Sequence, residues 1–107
     1  MNFDIVYAKD ITNILQYENT KLVDIRSSSL YEQCHLENAI NLPFDTTDNY
    51  EKILDKNIYY IFYCHSGGSS MKLARFLGKK GFRTGTVIGG FLAASEYLKK
   101  VGLCDKI

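Results

Sequence analysis

The sequence has no excess of charge of either sign: 13 Lys and Arg stand against 12 Asp and Glu, a formal net charge of +1. No overall basic field draws the chain to nucleic acid or to an anionic membrane, so neither is expected as a partner. A long apolar run is also missing. The longest, Ile58 to Cys64, is far too short to span a bilayer, and Met1 to Asp10 has neither the basic start nor the apolar stretch of a secretion signal. The expected location is therefore the cytoplasm. The two histidines, His35 and His65, are scattered, and Cys34, Cys64 and Cys104 form no paired-spacing motif, so no metal site and no cofactor are expected. An odd cysteine count fits a reducing compartment better than a disulfide scaffold. Neither a repeat nor a linker-like stretch divides the 107 residues, which suffice for one two-sided core and read as a single domain, 1–107.

What the chain does have is concentrated between Ile58 and Lys80. Ile58, Tyr59, Tyr60, Ile61, Phe62 and Tyr63 are β-formers without polar alternation, the pattern of a strand buried on both faces of a parallel sheet. Cys64, His65, Ser66, Gly67, Gly68, Ser69 and Ser70 follow as a loop. Then Leu73, Phe76 and Leu77 recur at helical spacing, with Lys72, Arg75 and Lys79 on the opposite face. A cysteine at the carboxyl end of a parallel strand, facing a helix N-terminus, sits where open α/β sheets place their ligands. Gly67 and Gly68 let successive N–H groups turn inward as a nest, and such donors lower a thiol pKa from about 8.5 toward or below neutrality. The bland alternative is an inert core cysteine, which ends many apolar runs. An inert cysteine has no need of two glycines and three hydroxyl residues beside it, but any tight strand-to-helix turn uses some of these, so the local chemistry leaves both readings open.

Strands are also expected at Phe3–Tyr7, Lys21–Ile25, Ala39–Leu42 and Thr84–Ile88, separated by short helical patterns. Asp10 is positioned to cap a helix with Ile11, Ile14 and Leu15 on one face, and Ser27, Ser28 and Ser29 offer caps for a brief helix to Gln33. Tyr50, Ile53 and Leu54 suit one helical face, as do Phe91, Ala94, Leu98 and Val101 after Gly89-Gly90. This alternation predicts an α/β fold, a mainly parallel sheet of about five strands with helices on both faces and Ile58–Tyr63 at its centre. Asp45 to Asn49 reads as a polar connection, and Gly102 to Ile107 as a frayed tail carrying Cys104 as an incidental thiol.

Several pieces in order resemble a known family: Leu22-Val23-Asp24-Ile25-Arg26, then Tyr31, then His35-Leu36-Glu37-Asn38-Ala39-Ile40-Asn41-Leu42-Pro43, the Cys64 loop, and Gly89-Gly90-Phe91. From Lys21 to Val101 the chain is similar to single-domain rhodaneses, and its Cys-x-x-Gly-x-Ser-Ser loop resembles the small thiosulfate sulfurtransferases among them. Three positions depart from the pattern: Ser69 where many members have arginine, Cys34 in place of a glycine, and Ala94 in place of a tryptophan.

The resemblance implies a sulfurtransferase that moves sulfane sulfur from a small donor such as thiosulfate to a thiol, a cyanide-like acceptor or an acceptor protein, through a persulfide on Cys64. His65, Ser66, Gly67, Gly68, Ser69 and Ser70 would bind the substrate. Asp24 and Arg26 match an Asp-x-Arg that supports the site in the family, although by residue chemistry an ordinary ion pair or turn cap is the favoured role for each and a direct catalytic role the lesser one. His35 reads as a packing histidine, and Cys34 as lying away from the loop. Two rivals come from other classes. A rhodanese-like module could keep the fold and only dock a partner. A cysteine phosphatase would need an arginine six residues after the cysteine, where Ser70 stands.

Overall fold

The unalternating run before Cys64 becomes the middle strand of a five-stranded sheet. In the computed structural model, which describes residues 2–44 and 50–98, the strands are β1 (Asp4–Val6), β2 (Thr20–Asp24), β3 (Ile40–Asn41), β4 (Tyr59–Tyr63) and β5 (Arg83–Val87). Their order is β1-β5-β4-β2-β3, and every neighbouring pair is parallel. Parallel strands need crossovers. These are supplied by a 3-10 turn (Ala8–Asp10) with α1 (Ile11–Ile14), α2 (Ser28–Gln33), α3 (Tyr50–Ile53) and α4 (Gly68–Lys79), and α5 (Gly90–Leu98) follows the last strand.

Lack of alternation in β4 reflects two cores. Ile61 and Tyr63 point into one cluster with Leu22, Leu36, Val87, Phe91 and Ala94 on the α1 and α5 side. Tyr60, Phe62 and Cys64 point into the other, with Val23, Ile25, Tyr50, Leu54, Leu73 and Leu77 on the α3 and α4 side. Ile61, Phe62 and Tyr63 are fully buried. At about 1.5–3 kcal/mol for each large apolar side chain, this strand is a main source of hydrophobic stabilisation.

Four local readings are corrected. Asp10 makes no capping hydrogen bond, because the preceding 3-10 turn has already given it helical backbone angles. Ile53 and Phe76 are 55% and 50% exposed, so neither belongs to the buried face of its helix. On α4 that face is Ser70, Leu73, Ala74 and Leu77. Cys34, a buried residue, is disulfide-bonded rather than a free thiol, whereas Cys64 is free. Ser27 does cap α2, accepting from Leu30 N at 3.3 Å. The polar connection at 45–49, Val101 and the tail with Cys104 lie outside the described residues. Among the described residues, no helix is long and apolar enough to cross a membrane.

Candidate active site

β4 delivers Cys64 to the carboxyl edge of the sheet, and α4 opens four residues later. Gly67 closes the turn with φ +110°, a conformation that a side chain would strain. A Cβ there would also stand 3.2 Å from Gly89 N. Gly68 is not so constrained, since a Cβ would meet nothing within 4 Å. The left-handed turn at Gly67 aims N–H groups at the sulfur: Gly67 N lies 3.2 Å and Ser70 N 3.4 Å from Cys64 Sγ. The loop carbonyls face the other way. Cys64 O accepts from Phe91 N at 2.8 Å and His65 O from Leu92 N at 3.2 Å, so the unpaired donors at the start of α5 brace the loop from behind.

Hydroxyl groups complete the cradle. The Cys64 thiol donates to Ser70 Oγ at 3.5 Å, Ser70 Oγ donates to Gly67 O at 3.2 Å, and Thr86 Oγ1 on β5 lies 2.7 Å from Ser70 Oγ. Burial pushes the Cys64 thiol up. The Ser70 hydroxyl and the N–H groups of Ser70, Gly67 and Ser69 pull it down, and together they prevail, so the thiol lies below its ordinary range. Cys64 is only 8% exposed, yet it opens on a cavity of about 360 Å³. One wall is loop: His65, Ser66, Gly68 and Ser69. The other comes from the end of β2 and the segments beyond, with Ile25, Arg26, Ser27, Leu30 and Phe44.

Arg26 reaches that wall from a buried network. Asp24, fully buried, accepts from Arg26 N at 2.8 Å, from Arg26 Nη2 at 2.7 Å and from the Tyr63 hydroxyl at 2.7 Å. Burial, and then the Asp24 charge, keep the Tyr63 phenol well above its usual pKa, so it remains a neutral donor. The Arg26 guanidinium lies 4.1 Å over the Phe91 ring and also donates to Cys34 O. Asp24 and Arg26 thus form both the ion pair and the turn cap, and Arg26 lines the pocket as well.

The structure gathers Cys64 and the six loop residues at one site, with Gly67 and Ser70 beneath the sulfur and His65, Ser66, Gly68 and Ser69 at its rim. Cys34 belongs to the core on the opposite face of the sheet. His35 stacks on Tyr31 at 3.8 Å between ring centroids, with Nδ1 2.8 Å from Tyr31 O, a packing histidine. Sequence reasoning missed Thr86, Tyr63, Leu30 and Phe44. For Thr86 the signal is ambiguous, since β5 carries two hydroxyl residues and the other, Thr84, donates to Ala74 O at 2.7 Å away from the sulfur. The Gly89-Gly90 turn lies outside the pocket lining and supports the loop from the far side.

Several known proteins are similar to this chain in sequence or in fold. The thiosulfate sulfurtransferase GlpE of Coxiella burnetii is 32% identical over 89 residues, covering 78% of this chain and 83% of that protein. A tRNA sulfurtransferase of Thermoplasma acidophilum is 40% identical over 60 residues, 56% of this chain but 12% of the longer protein. The crystal structure of a rhodanese-related protein from Thermoplasma volcanium superposes with a TM-score of 0.85 over 94% of this chain and 99% of that one; at 24% identity it speaks for the fold alone. The rhodanese-like domain model matches residues 7–96, and with that span, the parallel sheet and the GlpE likeness in agreement, the chain belongs to the rhodanese-like family.

Proposed function

We propose that the protein is a sulfurtransferase that carries sulfane sulfur on Cys64. The observation that supports this most directly is the free cysteine sulfur held 3.2 Å and 3.4 Å from two backbone N–H groups at the mouth of an open pocket. A thiolate so placed attacks the outer sulfur of thiosulfate. The new S–S bond forms on Cys64, and the donor's own S–S bond breaks with its electron pair leaving on sulfite. A nucleophilic acceptor such as cyanide or a thiolate then takes the outer sulfur and returns the electron pair to Cys64. The N–H groups that favour the thiolate also favour the persulfide anion, so both resting forms are held by the same donors.

The GlpE likeness supports thiosulfate as a donor, and the pocket rim supplies hydroxyls from Ser66 and Ser69 for its sulfonate oxygens. Ser70, at the position where a phosphatase loop carries its arginine, is buried beneath the sulfur and offers no cation to a phosphate. Intact mass spectrometry after incubation with thiosulfate tests the proposal. One added sulfur is expected, removable by cyanide and absent in Cys64→Ser. No added sulfur on the reduced parent protein would refute it.

A further inference from the structure

The outer face of α4 leads away from Cys64 and is unlike an ordinary solvated helix surface. The buried side of the helix is complete without Phe76, which is half exposed, with Lys80 Nζ 4.8 Å from the centre of its ring; Lys72 and Arg75 are exposed. Phe76, Lys72 and Arg75 line a groove of about 390 Å³ with Leu73 and Phe44. Phe44 also lines the Cys64 pocket, so the groove and the pocket are neighbours on either side of one residue. Lys72 and Arg75 make no ion pair among the described residues, in contrast to Lys80, which meets Glu51 at 3.1 Å. A small inorganic donor needs only the pocket. The neighbouring groove has apolar walls in Phe44, Leu73 and Phe76 and two cations in Lys72 and Arg75.

Building on the sulfur-transfer reading of Cys64, we propose that this groove docks the sulfur acceptor, and that the acceptor is an acidic protein segment bearing a thiol. Its apolar side chain packs against Phe44 and Phe76, and its carboxylates meet Lys72 and Arg75. Geometry sets the spacing. From Gly68 beside the sulfur to Phe76 the helix rises about 12 Å at about 1.5 Å per residue. An extended segment at about 3.3 Å per residue covers that in about four residues. The acceptor thiolate attacks the outer sulfur of the Cys64 persulfide and the S–S bond breaks with its electron pair on Cys64, so the acceptor leaves as the persulfide. Two cations on a chain of net charge +1 suit a short acidic segment better than a nucleic-acid backbone.

Fluorescence anisotropy with labelled peptides tests docking apart from chemistry, since serine stands where the thiol would be. The probes are Ser-Glu-Glu-Glu-Leu, Ser-Lys-Lys-Lys-Leu and an oligouridylate. The parent protein is expected to bind the acidic peptide about tenfold more tightly than the basic one at low salt, as two partly exposed ion pairs allow. The preference should reverse in K72E/R75E, and both peptides should weaken in Phe76→Ser. The K72E/R75E melting curve should overlay the parent's, and Phe76→Ser, which loses a half-buried ring and its contact with Lys80, should melt cooperatively at a slightly lower midpoint. Equal binding of the two peptides, an unchanged preference in K72E/R75E, or tighter binding of the oligouridylate overturns the inference. A peptide preference that holds while Cys64 takes up no sulfur keeps the docking site and refutes the sulfur-transfer reading. Sulfur uptake without the preference does the reverse.

Discussion

Replacing Gly90 by alanine tests whether the loop around Cys64 is held by the helix behind it. Gly90 has φ +61°, and a Cβ there would stand 2.6 Å from Cys64 O, 2.7 Å from His65 O and 2.8 Å from His65 C. All three are backbone atoms and none can swing aside. Relieving such a contact needs about 0.6 Å of separation, which would stretch the Phe91 N to Cys64 O bond from 2.8 Å to about 3.4 Å, past useful hydrogen bonding. The left-handed backbone costs about 1 kcal/mol for a non-glycine residue. Overpacking adds about 1–3 kcal/mol and a weakened buried hydrogen bond about 1 kcal/mol, for a total of about 3–5 kcal/mol. For a chain of this size that lowers Tm by on the order of 15 °C or more. Gly68→Ala is the control: its Cβ meets nothing within 4 Å and it opens a helix, so Tm should hold or rise slightly. Thermal melting followed by circular dichroism reads both. If Gly90→Ala melts within about a degree of Gly68→Ala, the bracing of the loop by α5 is wrong.

Cys64→Ser should take up no sulfur from thiosulfate, whereas Cys34→Ser, altered in the core on the other face of the sheet, should still load one sulfur by mass; a folded but inactive Cys34→Ser would refute the single-carrier reading. The pH profile of iodoacetamide alkylation should show Cys64 reacting as thiolate at pH values below the ordinary thiol range of about 8.5, because its hydrogen bonds outweigh burial. Ser70→Ala removes a donor and should move the inflexion to higher pH. Thr86→Val should move it the same way by a smaller amount, since the Ser70 hydroxyl then loses its partner on β5 while keeping Gly67 O, and Thr86→Ser should restore it; a profile unmoved by Thr86→Val argues against the hydroxyl chain. Arg26→Met leaves Asp24 charged and buried without its cation and should cost about 3–5 kcal/mol in urea unfolding at neutral pH. A change below about 1 kcal/mol would mean that the pair contributes little.

Elements with strong one-dimensional signals were legible. Six β-formers in a row from Ile58 declared a doubly buried strand, and the two-core packing of Ile61 and Tyr63 against Tyr60 and Phe62 shows why no polar residue interrupts them. The end of α4 has such a signal too, because Gly81 follows Lys79 and Lys80 in the sequence and adopts the left-handed φ of +96° that glycine takes readily at a helix end. Helix faces were less legible. Phe76 is apolar and at helical spacing, but α4 packs through Leu73, Ala74 and Leu77, and the angular difference of one residue leaves Phe76 outside. Asp10 has the right chemistry for a cap, but a preceding 3-10 turn had already set its backbone.

By itself the sequence determined the local events: a strand ending in Cys64, a glycine turn, a helix start rich in hydroxyl residues, and the parallel alternation that puts Cys64 at the ligand-binding edge. These follow from spacing within a dozen residues, where periodicity and turn chemistry act. Only the tertiary structure decided which distant groups meet the sulfur. Thr86 reaches Ser70 because β5 pairs with β4 in the register Phe62 to Thr86, Phe44 joins the pocket because its N–H bonds to Ile25 O beyond the end of β2, and Phe91 and Leu92 brace the loop because α5 begins behind it. Such contacts join residues 16 to 27 positions apart, and they depend on sheet register and helix docking, which the local pattern of the chain does not encode.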